Sequence, residues 1–446
     1  MKSIKTLTAA TLAAATILSL GACGSSTGGS GSAATSSDEK TEIIVWTWDL
    51  TIPDAAKLFE KKYPNIKVKV TNVGDSVETR SALSNALQAG SGAPDVVHME
   101  YHAVPQYALA DALEDITADT EGYGDVYQEG TWNNVHLGDK VYGLPIDSGP
   151  LALFYNKATF DKAGVTEPPN TWDEYYEAAK KIHALGPDYY IATNTGSSND
   201  WSTGFMALLW QGQARPYTVD GENVTIDFTG DENTKKVLDF WQKMIDEGLI
   251  NTKIAGWSDD WNRGLADGTI ASLTIGSWMP NNLLNGAAAA SGNFRVATMP
   301  QWNEGENYNG MDGGSAFSIV KGTKKRDAAW KFIDFVCHSR EGIQNRMYNG
   351  AFPADKESLT DETFLKGNDT LLTYFGGQEY NKVLAEAANQ KFSEFQYPPF
   401  SGQAQAIYGD YAGNAFQRKV TLDQAMADYQ KALVDYGNQQ GFSVNK

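Results

Sequence analysis

Cysteine is nearly missing from this chain, with two in 446 residues. One, Cys23, closes an N-terminal apolar segment. The other, Cys337, then has no intramolecular partner, which excludes a disulfide scaffold. Cys337 ends the pattern Ala329, Phe332, Ile333, Val336, Cys337. That spacing of i, i+3, i+4, i+7, i+8 reads as a helix burying its thiol as a small hydrophobe. A nucleophilic cysteine needs a partner base and some exposure, and only His338 is adjacent, off the apolar face. Beyond Leu20 no apolar run is long enough to span a bilayer. Basic residues are also scarce: 36 Lys and Arg against 55 Asp and Glu, a net charge of −19. Nucleic acid and anionic lipid both need basic patches, so neither is expected as a partner. There is no Gly-rich phosphate loop, no nucleophile elbow and no internal repeat of fixed period. His98, Glu100 and His102 form the only cluster that hints at a metal. They lack the i, i+4 helical frame of a zinc protease, so no metal or cofactor is expected.

What is present points to a folded, exported protein. Hydrophobic residues make up 41% and aromatics 11%, enough to bury cores in two or three lobes. Lys2 and Lys5 precede an apolar stretch from Leu7 to Leu20, of signal-peptide length. Leu20-Gly-Ala-Cys23 then opens a Gly/Ser tract, Gly24 to Ser37. This resembles the lipobox of bacterial lipoproteins, in which the cysteine is lipidated and becomes the new N-terminus. On that reading residues 1–22 are a signal peptide, Cys23 is lipidated, and 23–40 form a flexible tether. The mature chain would sit on the extracellular face of the cell membrane, lipid-anchored. Cleavage removes Lys2 and Lys5 but no acid, taking the net charge to −21. The alternative is an ordinary secretory signal that happens to hold a cysteine.

Strands and helices alternate after the tract. Ile43 to Trp46 is β-rich, and a helix with Ala55, Leu58 and Phe59 on one face ends at Tyr63-Pro64. Ile66, Val68 and Val70 alternate as a strand, Val77 to Gln88 reads as a helix, and Asp95 to Met99 as a third strand. The fold class is therefore α/β, with a largely parallel sheet expected in this first part. Further on, Leu151 to Tyr155 is a strand. Thr171 and Glu174 form a capping box, with Gly186 as a stop. Val237, Leu238, Trp241, Met244 and Ile245 line a second helix stopped at Gly248. Ile270 to Ile275 and Ala316 to Val320 are strands, and the last third reads mostly helical.

Several segments are similar to one family. They are Ile43-Ile-Val-Trp-Thr-Trp48 with Phe59-Glu-Lys-Lys-Tyr-Pro64; Gly90-Ser-Gly-Ala-Pro-Asp95; and Tyr142-Gly-Leu-Pro145 with Leu153-Phe-Tyr-Asn-Lys157 and Pro168-Pro-Asn-Thr-Trp172. Gly268 to Trp278, Met299-Pro300, Gly313-Gly314 and Ala328 to Ile333 follow, and Thr421 to Met426 matches loosely. Their order resembles the extracellular solute-binding proteins of ATP-binding-cassette (ABC) importers, the carbohydrate-binding family 1 that includes maltose-binding protein. The resemblance implies a two-lobed, type II periplasmic-binding-protein fold with a hinge crossed more than once. One lobe would take 41–148 plus 311–353, the other 149–310 plus 354–446. The implied partners are an oligosaccharide, the transmembrane subunits of an ABC permease and the membrane through Cys23, with the protein a monomer and not an enzyme.

A sugar presents hydroxyls at its rim and C–H groups on its faces, so its site needs aromatic platforms and paired polar side chains. Among twelve tryptophans, Trp172, Trp241 and Trp330 lie on helix patterns and Trp46 ends a strand, so these read as core. Trp48, Trp201, Trp257 and Trp278 sit in polar or Gly-rich loop contexts and are the candidate platforms. Trp278 occupies the place where the resembled family carries a stacking aromatic. Asp49, Glu100, His102, Asp147 and Asp312 follow predicted strands or hinge segments, where loops aim side chains into a cleft. Gly313 allows close backbone approach to ligand, and Tyr397 and Phe400 could add a late aromatic wall. Met99-Glu100-Tyr101-His102 stands where maltose-binding protein is richer in aromatic and charged contacts, which points away from maltose itself. Two other readings share these features: a secreted glycoside hydrolase using a carboxylate pair, and a surface glycan-binding adhesin.

Overall fold

The computed structural model describes residues 40–446. The signal segment, Cys23 and the Gly/Ser tract lie outside the described residues.

The alternating apolar residues of Thr41–Trp46 and Ile66–Thr71 pair them in parallel, Ile43 opposite Val68 and Val45 opposite Val70. Val96–Glu100 joins the other side, also parallel. The helices Ile52–Lys62 and Ser76–Ala89 supply the crossovers that parallel pairing requires. The second of these starts with a complete Asp75–Glu78 capping box and ends on Gly90 in the left-handed region.

The sheet then departs from the sequence expectation. Its fourth strand is Ser315–Ile319 and its fifth Leu144–Pro145, and the fourth runs antiparallel to both neighbours. The sheet is mixed because this strand re-enters from a distant part of the chain without a βαβ crossover to fix its direction. Behind it, Phe59 packs with Phe332, Ile333, Val336 and Cys337 of the helix Arg326–Cys337, giving the buried stripe read from the sequence.

A second sheet has the order Ser272–Gly276, Leu151–Asn156, Phe294–Ala297 and is antiparallel throughout. Every residue of Leu151–Asn156 is buried. One side is covered by Trp172–His183, Glu232–Asp246 and the two C-terminal helices Ser401–Phe416 and Leu422–Gln439. Thr171 caps its helix by accepting from Glu174 N, but the Glu174 carboxylate takes Asn170 N instead of closing the box on Thr171. That helix ends at His183, before Gly186.

Two extended segments connect the sheets side by side. Pro150 bridges Met311, Asp312 N donates to Gly149 O at 2.7 Å, and Leu151 N donates to Gly310 O at 3.0 Å. Gly149 is required here, because a Cβ would collide with Asp312 O. These paired segments position the site.

Candidate functional site

Loops gather where the two sheets meet. Thr47 to Asp49 leave Thr41–Trp46, and Tyr101–Ala103 turn out of Val96–Glu100. Asp147 to Gly149 follow Leu144–Pro145, and Asp312 to Gly314 lead into Ser315–Ile319. Ser277 and Trp278 leave Ser272–Gly276. Convergence of this kind builds ligand sites in open α/β sheets.

The structure sorts the expected residues into two groups. In the first, the Trp48 indole stacks on the His98 imidazole, centroids 3.8 Å apart and planes 13° off parallel. His98 is held by Thr47 Oγ1 at 2.9 Å and Ser315 Oγ at 2.6 Å. Burial drives its pKa down to about 3, so the ring is neutral. Asp49 Oδ1 accepts from Thr51 N and Oγ1, and its Oδ2 accepts from Arg346 at 3.1 Å. Burial alone would raise the Asp49 pKa, but Arg346, His98 and Thr51 together hold it low. Asp147 Oδ1 accepts from Ser315 N at 2.6 Å and Ser315 Oγ at 2.7 Å, yet burial still pushes it up to about 6. Asp49 and the Asp147 Oδ1 are thus occupied in bracing the connecting segments.

The second group keeps polar atoms that nothing in the protein pairs. Glu100 Oε2 accepts from Arg80 Nη1 at 2.6 Å. His102 Nε2 stands 3.6 Å from the same oxygen, beyond hydrogen-bonding reach. The His102 ring meets Trp201 edge-on at 5.5 Å and Tyr397 at 5.8 Å, joining elements from both sheets. Asp312 is fully buried. Its Oδ2 accepts from Gly276 N at 3.0 Å, and its carbonyl accepts from Trp278 Nε1 at 2.8 Å. Burial, followed by the nearby Glu100 charge, pushes its carboxyl up to about 7. The same Asp312 and Glu100 add to the burial that raises the Tyr397 phenol. Trp257 stacks near Trp278 at 5.8 Å and is 45% exposed, on a backbone held at φ +66°. A left-handed tryptophan is strained, and strain of this kind gathers at binding sites.

Two polar atoms of this group, His102 Nε2 and Asp312 Oδ1, are buried without a hydrogen-bond partner. Orphaned atoms are rare in native proteins and call for an explanation. A neutral imidazole and a carboxyl titrating near neutrality can each offer a donor or an acceptor to a hydroxyl.

The remaining expected residues lie as follows. Gly313 sits beside the Trp278 indole. Trp201 is fully buried, with Nε1 donating to Tyr429 OH at 2.9 Å, so only its edge faces His102. Phe400 is not brought to the cluster: its ring packs on Tyr436 and Phe442 in the core beneath the second sheet. Arg80 and Arg346 were not singled out from the sequence. Each lies in a polar helix stretch where nothing in the periodicity marks a buried guanidinium.

The sequence pattern described as bacterial extracellular solute-binding protein matches residues 47–337. A solved structure, the ABC transporter associated binding protein from B. animalis subsp. lactis Bl-04 in complex with β-1,6-galactobiose, is 46% identical with a TM-score of 0.82. The match covers 92% of this chain and 100% of that one. The arabinooligosaccharide-binding protein of Bacillus subtilis (strain 168) is 26% identical over 68% of this chain and 70% of its own. The maltooligosaccharide ABC transporter solute-binding lipoprotein of Streptococcus pneumoniae serotype 4 is 28% identical over 84% of this chain and 85% of its own.

Proposed function

The chain belongs to the bacterial extracellular solute-binding proteins and is the oligosaccharide-binding, non-enzymatic component of an ABC sugar importer; from that premise we propose that its ligand is a short galactose-containing oligosaccharide, of which β-1,6-galactobiose is the first candidate. Membership of a non-enzymatic transport family removes the glycoside hydrolase reading. The observation that supports the ligand class is the presence of two orphaned polar atoms, on His102 and Asp312, among the loops that also carry the neighbouring indoles of Trp278 and Trp257. The galactobiose relative, 46% identical along nearly the whole chain, supports the choice of sugar.

In this reading Trp278 and Trp257 stack on sugar faces, while His102, Glu100 and Asp312 bind hydroxyls. Tyr397 closes the side. Trp48, Asp49, Asp147 and Trp201 hold the walls. The lobes 41–148 plus 311–353 and 149–310 plus 354–446 close about the paired segments at Gly149 and Asp312. Aromatic contacts at ~1 kcal/mol each and charge-assisted hydrogen bonds at ~1.5–3 kcal/mol each are offset by ordering costs. A surplus near ~8 kcal/mol gives a roughly micromolar Kd, suited to capture and release. The closed monomer docks on permease subunits.

Titration calorimetry with β-1,6-galactobiose, maltotriose, an arabinooligosaccharide and a dipeptide tests this. Saturable one-to-one binding of the galactoside is expected. Binding of the dipeptide alone would overturn it. The protein is extracellular. We propose that Cys23 anchors it by a lipid, supported by the Leu20-Gly-Ala-Cys23 motif; release of the Cys23→Ser protein into the medium is the expected result.

A further inference from the structure

Two cores meet at Arg80, away from the paired segments at Gly149 and Asp312. Arg80 and Gln106 stand on the helices Ser76–Ala89 and Val104–Leu109, which share a core with Val97 and Met99 of the first sheet. The helix Ser401–Phe416 belongs to the other core, with Leu151 and Leu153 of the second sheet. Three hydrogen bonds join the start of that helix to the first core. Arg80 Nη2 donates to Gln405 Oε1 at 2.7 Å, Gly402 N donates to Gln106 Oε1 at 3.0 Å, and Ser401 Oγ donates to His102 O at 2.5 Å.

The other arm of the same guanidinium reaches the binding cluster, where Arg80 Nη1 donates to Glu100 Oε2 at 2.6 Å. The Arg80 side chain is 11% exposed, and its carbonyl accepts from Tyr107 OH at 2.8 Å, which braces its backbone on the first core. The Glu100 bond therefore lies within the first core, while the Gln405 bond forms only when the two cores are together. A planar fork spans both acceptors, which a single ammonium does not. Moving the start of Ser401–Phe416 away from the first core breaks all three bonds at once. A ligand that needs the cores together gains from every contact made only in that arrangement, including contacts that never touch the ligand.

We propose that Arg80 is a positioning residue for sugar capture: it orients Glu100 and latches the start of Ser401–Phe416 onto the first core, and so sets how long a bound sugar is retained. This role rests on the oligosaccharide reading above and requires no contact between Arg80 and the sugar. The test is stopped-flow binding of β-1,6-galactobiose to the wild type, Gln405→Leu, Arg80→Lys, the double variant and Ser84→Ala. Gln405→Leu should release the sugar about tenfold faster, the equivalent of one charge-assisted hydrogen bond, with association within about twofold of the wild type. Arg80→Lys keeps a cation for Glu100 and frees Gln405, so it should match Gln405→Leu, and the double variant should be no faster than either. Ser84→Ala loosens the same helix at Tyr107 without touching the second core, and should release sugar as the wild type does. Unchanged release in Gln405→Leu, additive effects in the double variant, or equally fast release in Ser84→Ala overturns the latch while the sugar-binding reading stands. Hydrogen exchange at the Gly402 amide reads the latch without sugar: it should be slow in the wild type and faster in Gln405→Leu and Arg80→Lys. Failure of the wild type to bind galactobiose overturns the choice of sugar, and the exchange then decides the latch alone, equal rates in all three proteins overturning it.

Discussion

The Trp278 indole donates to the backbone carbonyl of Asp312 at 2.8 Å. One contact thus ties a loop leaving the second sheet to a segment entering the first. It also sets the plane of the indole before any ligand arrives. Pre-setting a platform lowers the ordering cost of binding.

If Trp278 is the stacking platform proposed above, truncating it should separate binding from folding. Trp278→Ala is expected to weaken oligosaccharide binding by about tenfold to a hundredfold, measured by calorimetry, with a modest change in thermal midpoint. Trp172→Ala should behave in the opposite way. Its ring is 2% exposed and packs on Tyr175, Phe240 and Trp302. Loss of ~3–5 kcal/mol in chemical denaturation is expected there.

Gly149 tests the paired connecting segments. An added Cβ meets Asp312 O, which is backbone and cannot swing away. Gly149→Ala should cost about 1–3 kcal/mol of stability and weaken ligand binding together. A variant that keeps both would mean that the segments can part at no cost.

The buried ion pair between Arg346 and Asp49 supports the same region. Arg346 Nη1 also donates to Ile146 O at 2.7 Å. Removing the guanidinium in Arg346→Ala leaves a carboxylate and a carbonyl without their donor. A loss of ~3–5 kcal/mol is expected on denaturation. Arg346→Lys should recover only part, since one ammonium cannot serve both acceptors in the fork geometry.

The cluster titrates in opposed senses. Asp312, pushed up to about 7, keeps its proton in the folded chain over an interval where the unfolded carboxyl has lost it. Its contribution to stability therefore falls as pH rises from its ordinary carboxyl value through 7. His102, held down to about 4 by burial, acts the other way. Below its ordinary value near 6.5 the unfolded ring gains a proton that the folded one refuses, so stability falls on acidification toward 4. Without ligand, Asp312→Asn should lose thermal midpoint more steeply than the wild type between pH 7 and 4, and His102→Gln less steeply. Identical slopes in all three proteins would contradict the burial of these groups.

Much of the fold was legible because the signals were local. Alternation at Ile66, Val68 and Val70 marks a strand. The stripe ending at Cys337 marks a buried helix face, and the structure has both. The direction of Ser315–Ile319 was not legible, since strand sense depends on where the chain re-enters the sheet. The site followed the same division. Glu100 and His102, just past a predicted strand, and Asp312, in a hinge segment ahead of one, do gather. Trp201 reads as a candidate platform because its sequence neighbours are polar, but it is buried, bonded to Tyr429, which lies 228 positions later. Arg80 and Arg346 gave no pattern at all, because a guanidinium is buried by its partners and not by its own helix.

The strand order of the first sheet also governs how this molecule can come into being. Ser315–Ile319 lies between Val96–Glu100 and Leu144–Pro145. During vectorial emergence from the ribosome, the early strands therefore present a bare edge until the chain has grown past Ile319. A fragment cut before that point should not hold a native first sheet. For an exported chain the delay is useful: a polypeptide that cannot finish folding early stays threadable until it has crossed the membrane.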